Sequence, residues 1–283
     1  MKAALISNLD KRDSRDYIKD IINELKSNSI DVLMLMKFKD YFKLQNINFY
    51  DDYDLMLCDC DVVIAVGGDG SIIHAAKHAS RYNKPILGIN LGRIGFVSGL
   101  EIDEIHLLKK LTDGTYKIEN RSMLYVSVEH KDEVKEFESL NDIVISRGTL
   151  SSIIDIYVSL NDHKMAEYRA DGLIAATPTG STAYSLSAGG PIIDPKMECI
   201  LLTPVCPHSL SSRPIILDKD QYISISLRLR DEDSVFITVD GRESLRVGED
   251  FKINIKISEK KVRLIKFNND DFYKVLRKKL SSR

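Results

Sequence analysis

The sequence predicts an α/β first half joined to a mostly β second half, and two observations carry that prediction. Over about the first 115 residues, short apolar runs of buried-strand type alternate with amphipathic helical stretches, the pattern of parallel strands with helices over both faces. From about Met123 the apolar period falls to two, as expected for half-buried antiparallel strands.

The individual elements follow from those periods. Residues 3–6 and 32–36 are compact apolar runs, separated by a helix over 14–27 with Tyr17, Ile18, Ile21, Ile22 and Leu25 on one face. A third run, 62–66, enters Gly67-Gly68-Asp69-Gly70-Ser71 and a helical pattern through Ile72, Ile73, Ala76 and Ala79. Residues 86–89 form a fourth, and this half reads as Rossmann-like. In the second half Ile223, Ile225, Leu227 and Leu229 alternate with Ser224, Ser226 and Arg228, and Ile253, Ile255 and Ile257 repeat the pattern. Asn161-Asp162 and Val247-Gly248-Glu249 read as hairpin turns. Phe272, Val275, Leu276 and Leu280 stand at helical spacing in a tail whose Lys274, Arg277, Lys278, Lys279 and Arg283 read as a solvated face. The divisions fall at 1–118, 119–260 and 261–283.

Composition excludes several classes of function. The 283 residues suit two domains, and 40 basic against 42 acidic residues, net −2, leave no positive excess for a nucleic-acid backbone. The opening Met1-Lys2-Ala3-Ala4-Leu5-Ile6 has too few apolar residues for a signal-peptide core of about 7 to 15. Residues 172–193 carry no charge, but four glycines, two prolines and six Ser/Thr hydroxyls disqualify them as a membrane span. Cys58, Cys60, Cys199 and Cys206 lack zinc-site spacing and read as reduced thiols of a cytoplasmic protein. The acidic stretch around Cys58-Asp59-Cys60 reads as a solvated loop, His208 as structural, and no protein-held metal is expected.

Glycine is the informative letter. Eleven of the 15 glycines fall within 67–99 and 172–190, so two segments need bare backbone. The first is a buried strand running through Gly-Gly-Asp-Gly-Ser into a helix, an anion-binding arrangement in outline. Neither the dinucleotide fingerprint nor a P-loop fits: the sixth position counted from Gly68 is Ile73, and no Gly-Lys-Ser/Thr occurs. An aspartate there repels phosphate, which makes sense if it handles a proton or orients a hydroxyl nucleophile. The plainer alternative is a strand-to-helix turn with Asp69 or Ser71 as helix cap. Asn90-Leu91-Gly92-Arg93-Ile94-Gly95-Phe96 supplies a second glycine-bearing strand end to the same sheet edge.

The second segment runs from Arg169-Ala170-Asp171-Gly172 into Thr177-Pro178-Thr179-Gly180-Ser181-Thr182-Ala183-Tyr184-Ser185-Leu186-Ser187-Ala188-Gly189-Gly190-Pro191. Its hydroxyls and small residues suit a surface lying flat on an adenosine, with Tyr184 for stacking and Thr182 and Ser187 for hydrogen bonds.

In these segments the sequence resembles the NAD kinases, which use ATP to phosphorylate the 2′-hydroxyl of the adenosine ribose of NAD. The likeness covers nearly the whole chain: Gly-Gly-Asp-Gly at 67–70, Asn90 to Phe96, Leu140-Asn141-Asp142, the run from Arg169 to Pro191, Leu202-Thr203-Pro204 through Pro207-His208 to Arg213-Pro214, and Val239-Asp240-Gly241. It implies a Rossmann-like domain, a β-rich domain supplying most NAD contacts, and a tail returning to the first domain. By resemblance Asp69 is the proton acceptor, with Gly68, Gly70 and Phe96 beside it. Asn141 and Asp142 hold ribose hydroxyls and neighbouring polar groups; Thr179, Thr182, Ala183, Tyr184, Ser185, Leu186 and Ser187 line the adenosine site; Arg169 and Asp171 address the phosphate and nicotinamide ends. His74, Ser152 and Arg242 fall at positions where members of the family vary. The implied substrates are NAD and ATP, or polyphosphate in place of ATP, with Mg²⁺ arriving on the donor, and the implied assembly is a homodimer or homotetramer. Two rivals remain: a lipid kinase with the same glycine motif, which would need an apolar cleft in place of the hydroxyl-rich run, and a non-catalytic dinucleotide sensor, which would not need Asp69.

Overall fold

The computed structural model describes residues 1–7, 14–42, 47–92, 95–148, 153–229, 234–267 and 272–281. The chain forms two compact units, residues 1–120 with 261–283, and residues 121–260.

The first unit opens with strand β1 (Lys2–Ser7), helix α1 (Ser14–Ser27), β2 (Asp31–Leu35), β3 (Ile47–Tyr50), α2 (Tyr53–Asp59), β4 (Val62–Val66), α3 (Asp69–Arg81), β5 (Ile86–Asn90), β6 (Leu100–Glu101) and α4 (Lys109–Thr112). The strands pair in parallel in the order β3-β2-β1-β4-β5, with β6 on β5. The order reverses between β1 and β4, and ligands of open α/β sheets bind beyond the carboxyl ends of strands at such a reversal. Asp69 follows directly on the end of β4. The strands β4 and β5 are buried along their whole length, hence the unbroken apolar run 62–66 of β4 and the apolar Ile86, Leu87 and Ile89 of β5. Ile18, Ile21, Ile22 and Leu25 of α1 are buried and join their core, as the sequence period assigns, but Tyr17, expected on the same face, is 40% exposed and lies off the buried stripe.

One expectation fails in this unit. The acidic stretch around Cys58 is not a loop: α2 covers it, started by Asp52, whose Oδ1 accepts the Leu55 N–H at 2.8 Å. An aspartate three residues before a helical Leu is an N-cap signal that the density of charge obscured.

The second unit carries β7 (Lys117–His130), β8 (Glu133–Ser139), β9 (Asp142–Arg147), β10 (Ile154–Leu160), β11 (His163–Ala170), β12 (Gly172–Ala176), the one-turn helix α5 (Tyr184–Ser187), β13 (Cys199–Val205), β14 (Ile215–Asp218), β15 (Ile223–Arg228), β16 (Val235–Val239), β17 (Glu243–Val247) and the start of β18 (Lys252–Lys266). One antiparallel sheet runs β14-β13-β12-β9-β16-β17; another sets β11, β10, β15 and β18 side by side. Leu124, Ile143, Ile156, Leu173, Ile225 and Ile253 are among the buried residues of the core packed from their inward faces. On the other face of the first sheet, Val144, Ile174, Cys199 and Leu201 are buried with Ile193. That second covering explains why β12 and most of β13 are buried throughout instead of alternating.

Asn161 and Asp162 both take positive φ (48° and 67°) and close the β10–β11 hairpin, as their residue types require. Val247-Gly248-Glu249 is not a hairpin turn. β17 pairs with β16 and β18 with β15, so these residues carry the chain from one sheet to the other.

The tail returns to the first unit. The end of β18 pairs with β5 at Leu264 and Ile86, Phe267 joins the α/β core, and helix α6 (Phe272–Ser281) follows. The Leu280 side chain and Arg283 lie outside the described residues.

Candidate active site

The phosphate turn is built by β4 and α3. Gly67 N donates to Ile89 O at 3.0 Å, tying the end of β4 to β5, and the N-cap of α3 is Gly68, which has no side chain to cap with. Asp69, the first residue of α3, is therefore not spent as a cap. Its Oδ2 accepts the Phe96 N–H at 3.1 Å and its Oδ1 the Val97 N–H at 3.3 Å. Gly95 makes this possible: a Cβ there would collide with Asp69 Oδ1. The glycine of the second strand end thus lets the backbone wrap a carboxylate that belongs to the first. Lys279 of α6 completes the shell, with Nζ 3.3 Å from Asp69 Oδ2.

In the second unit another carboxylate organises the Asn141-Asp142 turn. Asp240 Oδ1 accepts the N–H of Asn141 at 2.8 Å and of Asp142 at 3.3 Å, plus the Ser139 hydroxyl at 2.7 Å; Oδ2 accepts the Leu140 N–H at 3.1 Å. Asp240 and Gly241, at φ 48° and 67°, form the turn between β16 and β17. From the other side Thr177 straps on the hydroxyl-rich run: its hydroxyl donates to Leu140 O at 2.6 Å, its N–H to Asn141 O at 2.9 Å. A Cβ at Gly180 would fall on Asn141 O, so only glycine lets the run come this close. Asp142 is buried, and its carboxyl accepts the Tyr184 N–H. Burial first, and the neighbouring Asp240 charge second, push Asp142 up to about 7 against the Tyr184 hydrogen bond.

The remaining candidates divide by what their side chains do. Tyr184 is 47% exposed on α5, Ser187 is exposed, and Thr182, Ala183 and Leu186 are half-buried. Ser185 is fully buried and bonds Thr203 Oγ1 at 2.8 Å, and Thr179 is buried with its hydroxyl accepting from Arg121 at 3.2 Å; both hydroxyls are used inside the chain. Asp171 accepts from Arg147 Nη2 at 3.1 Å, and Arg169 lies 4.0 Å from Asp155, half exposed. His74 is exposed with its ring 4.7 Å from that of His78; Arg242 is exposed beside Asp240; Ser152 lies outside the described residues. Sequence reasoning missed the buried Arg121, which no motif marks, and the ordering role of Asp240, which stands in a quoted motif without one.

A carboxylate at a glycine-rich strand-to-helix turn, in a chain that also carries a hydroxyl-rich platform, is the equipment of a nucleotide-dependent kinase. Residues 4–116 match the ATP-NAD kinase N-terminal domain and residues 140–267 the ATP-NAD kinase C-terminal domain, and the chain belongs to the ATP-NAD kinase family. It is 39% identical to the NAD kinase of Caldicellulosiruptor saccharolyticus over 284 residues, 99% of each chain, and 39% identical to that of Clostridium beijerinckii over 267 residues, 93% of this chain and 92% of the relative. Among solved structures it resembles yeast NADH kinase complexed with NADH (TM-score 0.87, 26% identity, 99% of this chain and 87% of that one). It also resembles an NAD kinase from Archaeoglobus fulgidus in complex with ATP (TM-score 0.77, 26% identity, 100% of both chains).

Proposed function

We propose that this chain transfers the γ-phosphate of ATP to the 2′-hydroxyl of the adenosine ribose of NAD, giving NADP and ADP. The observation that carries the reading is the Asp69 carboxylate, held by two backbone N–H groups at the start of α3 and free of capping duty. In the proposed step the ribose 2′-oxygen attacks the γ-phosphorus and its proton passes to Asp69. The bond from the γ-phosphorus to the β,γ-bridging oxygen breaks, and its electron pair stays on ADP. Among the described residues, a Cβ at Gly68 or Gly70 would meet no atom within 4 Å beyond the chain neighbours and the helix's own backbone, which leaves room at this turn for a group from outside, a phosphate in this reading. Mg²⁺ enters as part of the donor, because it binds readily through substrate phosphates.

Asn141 and Asp142 take the ribose end, and Thr182, Ala183, Tyr184 and Ser187 the adenosine. Ser185 and Thr179 act by shaping this surface. The chain works in the cytoplasm, where the exposed thiols of Cys58 and Cys206 stay reduced. It assembles as a homodimer or homotetramer through a face that includes Leu210, 93% exposed, and Ile216, 51% exposed. A monomer by sedimentation at micromolar concentration would contradict the assembly.

The deciding assay incubates the protein with NAD and MgATP and reads NADP with a specific dehydrogenase. NADP formation at enzymatic rates, with kcat falling by about 10² to 10⁴ in Asp69→Asn, is the expected result; a loss below about fivefold removes Asp69 as the base. Polyphosphate in place of ATP in a parallel assay identifies the donor.

A further inference from the structure

A carboxylate at a phosphate-binding turn works against the anion that the turn attracts, and the structure supplies its counter-charge from the far end of the chain. Lys279 sets its ammonium 3.3 Å from Asp69 Oδ2 and 4.2 Å from the centre of the Phe96 ring, the residue whose N–H holds the same oxygen. The helix is seated by Phe272, whose ring lies 5.9 Å from that of Phe96. Phe272, Val275, Leu276 and Lys279 are half-buried, while Lys274, Arg277 and Lys278 are exposed. Lys279 therefore does not belong to the solvated basic face that the tail's composition suggests. It stands one and two turns on from the apolar stripe, on the side that meets Asp69.

The pair is about one-third exposed on each side, and ion pairs that exposed add little to folding. Its value lies in what it does to Asp69. Three donors fix both carboxylate oxygens in one orientation, and one of the three cancels the charge. We propose that Lys279 is a positioning residue of the phosphoryl-transfer centre: it orients Asp69 and neutralises it, so that the polyanionic donor can approach the Gly67-Gly68-Asp69-Gly70 turn. The C-terminal helix is on this account part of the kinase machinery. The proposal rests on Asp69 being the base of the reaction described above.

The test is Lys279→Met in the full-length protein, with Lys279→Arg as rescue and Lys278→Met as control. Lys279→Met should raise KM for MgATP and lower kcat, each by about tenfold, leave KM for NAD within about twofold, and leave thermal unfolding nearly unchanged. Lys279→Arg should recover most of both losses, and Lys278→Met should match the wild type. In an Asp69→Asn background, where there is no charge to cancel, Lys279→Met should change MgATP affinity by less than about twofold. Should Lys279→Met fail to fold, Lys279→Gln carries the same expectations.

Three results overturn the proposal: kinetic constants for MgATP within about twofold of wild type, an equal rise in KM for NAD, or a fall in melting temperature that Lys279→Arg does not repair. The underlying reading fails separately, through absence of NADP formation by the wild type or full activity of Asp69→Asn. In either case titration calorimetry of MgATP with wild type and Lys279→Met still decides whether Lys279 eases donor binding.

Discussion

The Asp240 carboxylate lies 2.8 Å from the amide nitrogen of Asn141, and it also gathers the N–H groups of Leu140 and Asp142 and the Ser139 hydroxyl. One side chain at the turn of a hairpin thus fixes the backbone of three consecutive residues, two of which are assigned to the acceptor ribose.

Asp240→Asn keeps the size of that side chain but turns an NH₂ group toward donors that need an acceptor. The expected cost is about 1 to 3 kcal/mol, the penalty for leaving buried donors unmatched. It should fall mainly on NAD: KM for NAD rises, KM for MgATP stays, and the melting temperature drops modestly. Steady-state kinetics with each substrate varied in turn checks this, and an unchanged KM for NAD would refute the ordering role.

Asp142 makes stability and pH interdependent. Its carboxyl is pushed up to about 7, above the ordinary 3.8, so between those values the native state holds a proton that the unfolded chain releases. The contribution to stability is complete below the ordinary value and is lost as pH rises through about 7. Asp142→Asn should remove it, shrinking the loss of stability between pH 5 and 8 by about 1 to 3 kcal/mol. Urea unfolding of both proteins at the two pH values measures the difference; equal losses would mean that Asp142 is ionised in the native state like any surface carboxylate.

How much of this was legible in the sequence depends on the range of the forces involved. Period alone places β4, α3 and β5, because burial on both faces of a parallel strand writes itself into an unbroken apolar run such as 62–66. Glycine density marks both halves of the site for the same reason: Gly95 and Gly180 stand where another group comes too close for a side chain. The partners in those approaches were not legible. Nothing local links Gly95 to Asp69, Asp240 to Asn141, or Lys279 to Asp69, since each contact joins residues distant in sequence. Ser185 and Thr179 show the reverse limit. Their hydroxyls sit in a run whose composition suggests a polar surface, and only packing reveals that both residues, like Thr177 and Ser181, are buried. The failed hairpin at 247–249 is of the same kind, because turn composition does not state which sheet the next strand will join.

Gly95→Ala tests the wrapped carboxylate directly. The added methyl would collide with Asp69 Oδ1, so either the carboxylate rotates off the Phe96 and Val97 N–H groups or the 95–97 backbone withdraws. Both displace the proposed base, and displacement by about 1 Å can cost roughly 10²-fold in rate. NAD affinity should not change, because its assigned contacts lie in the other unit. Equilibrium dialysis with NAD alongside kcat separates the two, and a Gly95→Ala enzyme with normal kcat would show that Asp69 needs no such cradle.

Orientation decides which hydroxyl reacts. Two cis hydroxyls of similar reactivity sit on the adenosine ribose, so choice between them must come from orientation. Asn141 is built to orient: its N–H is held by Asp240, its carbonyl by the Thr177 N–H, and its half-buried side-chain amide has no partner among the described residues. An amide so rooted can grip a ribose diol at little further cost in chain entropy. Asn141→Ala should cost about 1 to 3 kcal/mol of transition-state stabilisation, seen as a fall in kcat/KM for NAD. NAD lacking the 2′-hydroxyl should bind through the adenosine contacts and not turn over. Phosphorus NMR of the product from natural NAD decides the regiochemistry: phosphate on the 3′-oxygen, or turnover of the 2′-deoxy dinucleotide, would show that the diol is held the other way round and that the proposed reaction is wrong.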